Sequence, residues 1–141
     1  MEASQVELVQ ASFDKVLPIA DSAADLFYRR LFELDPSLRR LFHGDIRQQG
    51  RKLMDTLRLV VSNLGHLDRI VPGVRALGER HAAYGVEERH YDTVGSALLW
   101  TLERGLGSAF TCDVAAAWVA AYTMLANTMK SAAAKLEPAR A

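Results

Sequence analysis

The stretch Leu77–Leu102, LGERHAAYGVEERHYDTVGSALLWTL, contains two helical patterns meeting at a glycine. Upstream of it, Pro72 opens a short helix that presents Val74, Leu77 and His81 on one face and stops before Gly85. Downstream, a second helix from about Glu88 to Leu106 presents Tyr91, Val94, Leu98 and Leu102. An imidazole therefore projects from the apolar face of the short helix, where the pattern calls for an aliphatic side chain. By itself this describes either a core histidine satisfied by a backbone carbonyl or a ligand donor.

The same period extends in both directions. A first helix opens at Ser4, with Glu7 completing a capping box, and carries Val6, Val9, Phe13 and Val16 before Pro18 interrupts it. A second, from about Ala20 to Leu34, faces Ala24, Phe27, Tyr28 and Leu31 inward. Asp35-Pro36 reads as an N-cap and first helical position of a short helix ending near Leu41-Phe42, and His43-Gly44-Asp45 as a loop. From about Ile46 to Leu64, Gln49, Leu53, Leu57 and Val60 or Val61 recur at helical spacing before Gly65. The last helix runs from about Cys112 to Leu136 and presents Trp118, Tyr122, Leu125 and Met129. Alanine and leucine fill 40 of the 141 positions, and β-branched or aromatic runs are missing, so the fold class is all-α with about seven helices. One domain of 1–141 is expected, with its core over about 4–136 and a frayed tail at 137–141.

Composition narrows the chemistry. Half of the residues are hydrophobic and 24% are charged, as in a globular chain. Lys+Arg and Asp+Glu both number 17, which removes the electrostatic term that non-specific nucleic-acid binding needs. No run approaches the length of a membrane helix and the N-terminus has no signal core, so a cytoplasmic location is expected. Cys112 is the only cysteine, which excludes an internal disulfide, a cysteine-rich zinc site and an iron–sulfur cluster. With no basic neighbour, it reads as an inert thiol. Phosphate loops, nucleophile elbows and HExxH pairs are absent.

Three polar residues occupy positions where the period calls for apolar ones: Tyr28, Gln49 and His81. Each needs a partner or a ligand if buried, since an unpaired polar group costs about 1–3 kcal/mol. Gln49 also fits a helix edge reaching solvent, and Tyr28 a ring packed inside with its hydroxyl at the rim. His66 and His90, in GHLDR and EERHY, read as solvated, and His43 as a loop residue.

Taken in order, Pro36, Phe42, Gln49 and the stretch quoted first, with LFYRRLFELDPSLRRLF and QQGRKLM, resemble the globins, and within them bacterial single-domain globins and the haem domains of flavohaemoglobins. The resemblance covers roughly Gln5 to Lys135 and implies a globin fold around a buried haem b (iron protoporphyrin IX). It implies His81 as the proximal iron ligand, with its second ring nitrogen donating to a nearby acceptor. Phe42 is implied as the residue stacking on the porphyrin, and Leu57, Leu77, Val86, Val94 and Leu98 as further haem contacts. Tyr91 is implied beside the proximal histidine, and Tyr28, Gln49 and Leu53 as the distal trio. Ala24 and Gly50 match the close crossing of the helices that carry them.

The implied function is binding of dioxygen, nitric oxide and carbon monoxide, with bound oxygen held by Tyr28 and Gln49. An alternative is a nitric oxide dioxygenase drawing on an external reductase, and a third reading is a haem-free regulatory module. The sequence departs from the resemblance at one place: where flavohaemoglobins carry a late glutamate in the proximal network it has Lys135, with Glu137 two positions on. Because the sequence closes at Ala141, no reductase domain is expected within it.

Overall fold

The protein is described by a computed structural model, which gives the backbone of residues 1–140 and the side chains of residues 1–135. The expected frayed tail, 137–141, lies outside the residues described in full. Six α-helices follow one another: α1 Ala3–Val16, α2 Ala20–Leu34, α3 Ile46–Ser62, α4 Val71–Ala83, α5 Glu88–Leu106 and α6 Cys112–Arg140. There is no strand among the described residues.

One expectation about the helices is corrected. The first helix is capped by Glu2 rather than Ser4: the Glu2 carboxylate accepts from the backbone of Gln5, whose side-chain oxygen accepts from the Glu2 N–H at 3.2 Å. The short helix expected after Asp35 is present as a 3-10 segment, Pro36–Leu41, which leaves six α-helices among the described residues. Asp35 does cap it, accepting from the Ser37 N–H at 3.1 Å. At six residues it closes with the tighter i to i+3 bond.

The helices pack in pairs that bury the faces read from the period. α2 lies against α3 and α5, and α6 lies against α4 and α1. Phe13, Phe27, Leu31, Leu102 and Trp118 meet in the core. Burying each large apolar side chain stabilises the fold by about 1.5–3 kcal/mol. The Trp118 indole donates to the Ser12 hydroxyl at 2.8 Å, linking α6 to α1.

Glycine permits close approach at two helix crossings. A Cβ on Gly50 would lie 3.0 Å from that of Ala24, as expected for the close crossing of α2 and α3. A Cβ on Gly78 would lie 2.7 Å from the Met129 Cα, so backbone meets backbone where α4 crosses α6.

Candidate functional site

α4 ends one turn after Gly78, and His81 stands in that last turn. Gly85, at φ +96°, closes the helix with a Schellman motif: its N–H reaches the Ala82 carbonyl at 3.1 Å, and the Val86 N–H reaches the His81 carbonyl at 3.0 Å. Val86 is thereby folded back toward His81. The His81 Nδ1 lies 2.8 Å from the Leu77 carbonyl oxygen. Only a protonated Nδ1 can donate there, which leaves the lone pair on Nε2. Burial holds the His81 pKa below the ordinary 6.5, against the Leu77 carbonyl bond that favours the charged form, with Arg80 lowering it further. At neutral pH the half-buried ring is a neutral donor with one nitrogen anchored, as in a ligating histidine.

α5 starts beside this turn with a reciprocal cap. The Glu87 N–H donates to His90 Nδ1 at 2.9 Å, and the Glu87 carboxylate accepts from the helix backbone in return. His90 is therefore 3% exposed, which overturns the solvated reading. Its imidazole fills the place that Glu or Gln takes in the usual capping box, and the E-x-x-H spacing at a helix start was the available signal. His66 is exposed, as expected, and His43 is exposed in the loop before α3.

Tyr91 is buried next on α5. Its carbonyl accepts from the Tyr122 hydroxyl of α6 at 2.6 Å. Helical spacing places Tyr122 on an apolar face and gives no sign of this bond. Its ring reaches α5 because Gly95 stands opposite, where a Cβ would lie 2.8 Å from Cε2. Burial pushes both phenol pKa values up, and Tyr91 and Asp92 add to the effect at Tyr122. The Lys130 ammonium stands 5.6 Å from the Tyr91 ring centroid. Lys135 is exposed, and the Glu137 side chain lies outside the described residues.

On α2 and α3 the Ala24–Gly50 crossing brings Tyr28 to Gln49. The Tyr28 hydroxyl donates to the Gln49 backbone carbonyl at 3.3 Å. That is long for an O–H···O bond. Burial pushes the Tyr28 pKa up to about 12, so the phenol is a donor at any physiological pH. Phe42 meets the Tyr28 ring edge-on at 5.4 Å and Phe32 at 5.6 Å, while Phe27 closes the other side at 5.1 Å. Leu57 and Leu98 are buried; Gln49, Leu53, Leu77, Val86 and Val94 are half-buried, and the four apolar ones pack on the core.

The donor set fits a flat apolar group carrying one metal ion. A single neutral imidazole is offered by α4, apolar side chains come from α3, α4 and α5, and a phenol and an aromatic ring come from α2 and the Phe42 turn. Among the described residues no three His, Cys, Asp or Glu side chains cluster as a protein-only metal centre would require.

The family model for Globin matches residues 25–129, a span that runs from Tyr28 through Gln49 and His81 to Leu98. The chain is 28% identical to a neuroglobin of Tetraodon nigroviridis, over 96% of this chain and 94% of that protein. It is 26% identical to a flavohemoprotein of Bacillus subtilis, over 90% of this chain and 33% of the relative. A flavohemoprotein of Chromobacterium violaceum is 31% identical over 73% and 26%. The chain thus spans about a third or less of these flavohemoproteins and nearly all of the neuroglobin. It belongs to the globin family, the haem proteins that bind diatomic gases.

Proposed function

We propose that this globin carries haem b with His81 as the proximal iron ligand and binds dioxygen reversibly against Tyr28, Gln49 and Leu53. The observation that carries the reading is the His81 Nδ1 contact with the Leu77 carbonyl, which leaves Nε2 as the free donor of a neutral ring. When bound, the haem supplies a ferrous iron that takes a diatomic gas on its open face. The chain holds the imidazole in orientation through Leu77, and Leu77, Val86, Val94 and Leu98 keep water from the macrocycle. Tyr91 would pack beside His81, and Phe42 would lie against the macrocycle. On the distal side Tyr28 would offer a ligand of partial negative charge the hydroxyl that now makes the long bond to the Gln49 carbonyl. The Gln49 amide adds a second donor, and Leu53 limits volume and water. Carbon monoxide and nitric oxide are further ligands of the same pocket.

The flavohemoprotein relatives favour a second reading. Their name pairs a flavin with a haem, and this chain covers only a third or less of their length. In that reading nitric oxide and dioxygen, with one electron from a separate reductase, give nitrate at the same site. Nitric oxide consumption with a supplied reductase separates the two. The basic reading is tested by titrating the protein with haem and reducing it. A one-to-one Soret band and a predominantly five-coordinate, high-spin ferrous spectrum are expected, because the distal position is glutamine and His43 is in the exposed loop. A low-spin ferrous spectrum abolished by His43→Ala would overturn the distal assignment.

A further inference from the structure

α6 brings a cation to the proximal side of the site, and it is not the one to which the resemblance points. Lys135, in the place of the flavohaemoglobin glutamate, is exposed. Lys130, one helical turn and a half earlier, is half-buried, and its ammonium stands 5.6 Å from the Tyr91 ring centroid.

The packing around Lys130 fixes that placing. Its neighbour Met129 meets α4 backbone to backbone at Gly78, one turn before His81, where a Cβ would lie 2.7 Å from the Met129 Cα. The Tyr122 hydroxyl donates to the Tyr91 carbonyl at 2.6 Å, which holds α6 along the first turn of α5. Between those turns the Val86 N–H folds back to the His81 carbonyl at 3.0 Å. Lys130 therefore stands where the end of α4 and the start of α5 come together on α6. No carboxylate pairs with it among the described residues. Asp92, which acts on Tyr122, is exposed. Arg80 acts on His81 but is exposed too, so water and salt screen it. A half-buried ammonium has lost part of its hydration, and the π face of Tyr91 offsets part of that loss.

We propose, on the reading of His81 as the iron ligand, that Lys130 is the proximal charge that favours the ferrous state of the bound haem. When ferric iron takes one electron from an external reductant, the haem loses one unit of positive charge. A fixed cation nearby repels the product less than the starting state, so the equilibrium moves toward ferrous iron. A carboxylate in that position would act with the opposite sign. Tyr91 holds the ammonium in place through its ring face, and Lys130 touches neither the iron nor the gas.

The midpoint potential of the haem-loaded protein, measured by spectroelectrochemistry without a gas ligand, tests this. Lys130→Met removes the charge and keeps most of the stem. Its ferrous-to-ferric ratio at a fixed potential should fall about three- to tenfold, a drop of about 30–60 mV at about 59 mV per tenfold for one electron. Lys130→Arg should keep the potential of the unmodified protein, and so should Lys135→Met, whose lost cation is exposed. Far-ultraviolet circular dichroism checks that the helices persist, and Lys130→Gln replaces the methionine variant if that does not fold. An unchanged or higher potential on removing the Lys130 charge would overturn the proposal. So would an equal fall in Lys130→Arg, which would make the effect one of packing, or a fall as large in Lys135→Met. Each of these results can occur with the Soret band intact and leaves the haem reading standing, whereas a chain that takes up no haem would overturn both.

Discussion

Tyr28 carries the sharpest chemistry of any single residue. Its hydroxyl is 3.3 Å from a neutral carbonyl, and hydrogen bonds to charged acceptors are roughly twice as strong as such neutral ones. Tyr28→Phe and Gln49→Leu should each speed oxygen dissociation, by about ten- to a hundredfold for a bond of about 1.5–3 kcal/mol, with a smaller effect on carbon monoxide. In the proposed site both donors address one ligand, so the double variant should be non-additive in stopped-flow ligand replacement. Unchanged oxygen dissociation in both single variants would remove the distal mechanism. With the Tyr28 pKa pushed up to about 12, the proton stays on the phenol well above neutrality. Oxygen dissociation should therefore be flat from pH 7 to about pH 10 and rise only as the phenol ionises beyond it. A rise centred near pH 10, absent in Tyr28→Phe, would mean that the phenol is not buried as described. The inward placing of Tyr28 and the half-burial of Gln49 were legible from helical spacing. That the backbone carbonyl of Gln49, rather than its side-chain amide, accepts the phenol hydrogen bond was not, because spacing fixes faces and not side-chain rotamers.

Among the elements, the boundaries of α2 and α5 were readable to the residue, since Asp35-Pro36, Glu87 and Gly107 punctuate them. His90 was misread because its sequence neighbours are charged, while its burial comes from turning inward to complete the cap of α5. The close contact of α4 with α6 had no sequence signature beyond Gly78 itself, because it depends on which helix arrives opposite. Gly78→Ala places a methyl against the Met129 backbone, which a side-chain rotation cannot relieve. A cost of about 1–3 kcal/mol should lower Tm by roughly 3–10 °C. Gly73→Ala, on the same helix with nothing within 4 Å of the added Cβ, should be neutral or stabilising. Equal melting temperatures for the two variants in thermal scans would contradict the close approach.

For the whole molecule, periodicity and composition reach the all-α class, but not the way six helices surround one centre. Pairing is set by contacts distant in sequence, such as Trp118 with Ser12 and Tyr122 with Tyr91. Those polar links, together with the buried faces, hold the helical shell without requiring the His81 ring. No helix among the described residues is long and apolar enough to cross a membrane. The haem reading therefore makes a separable demand on a single side chain. The most direct measurement is the rate of haem transfer from His81→Ala to an apoprotein acceptor, taken beside its far-ultraviolet circular dichroism. Loss of most haem retention, with helical content largely kept, is the predicted result; retention equal to that of the unmodified protein would contradict His81 as the iron ligand.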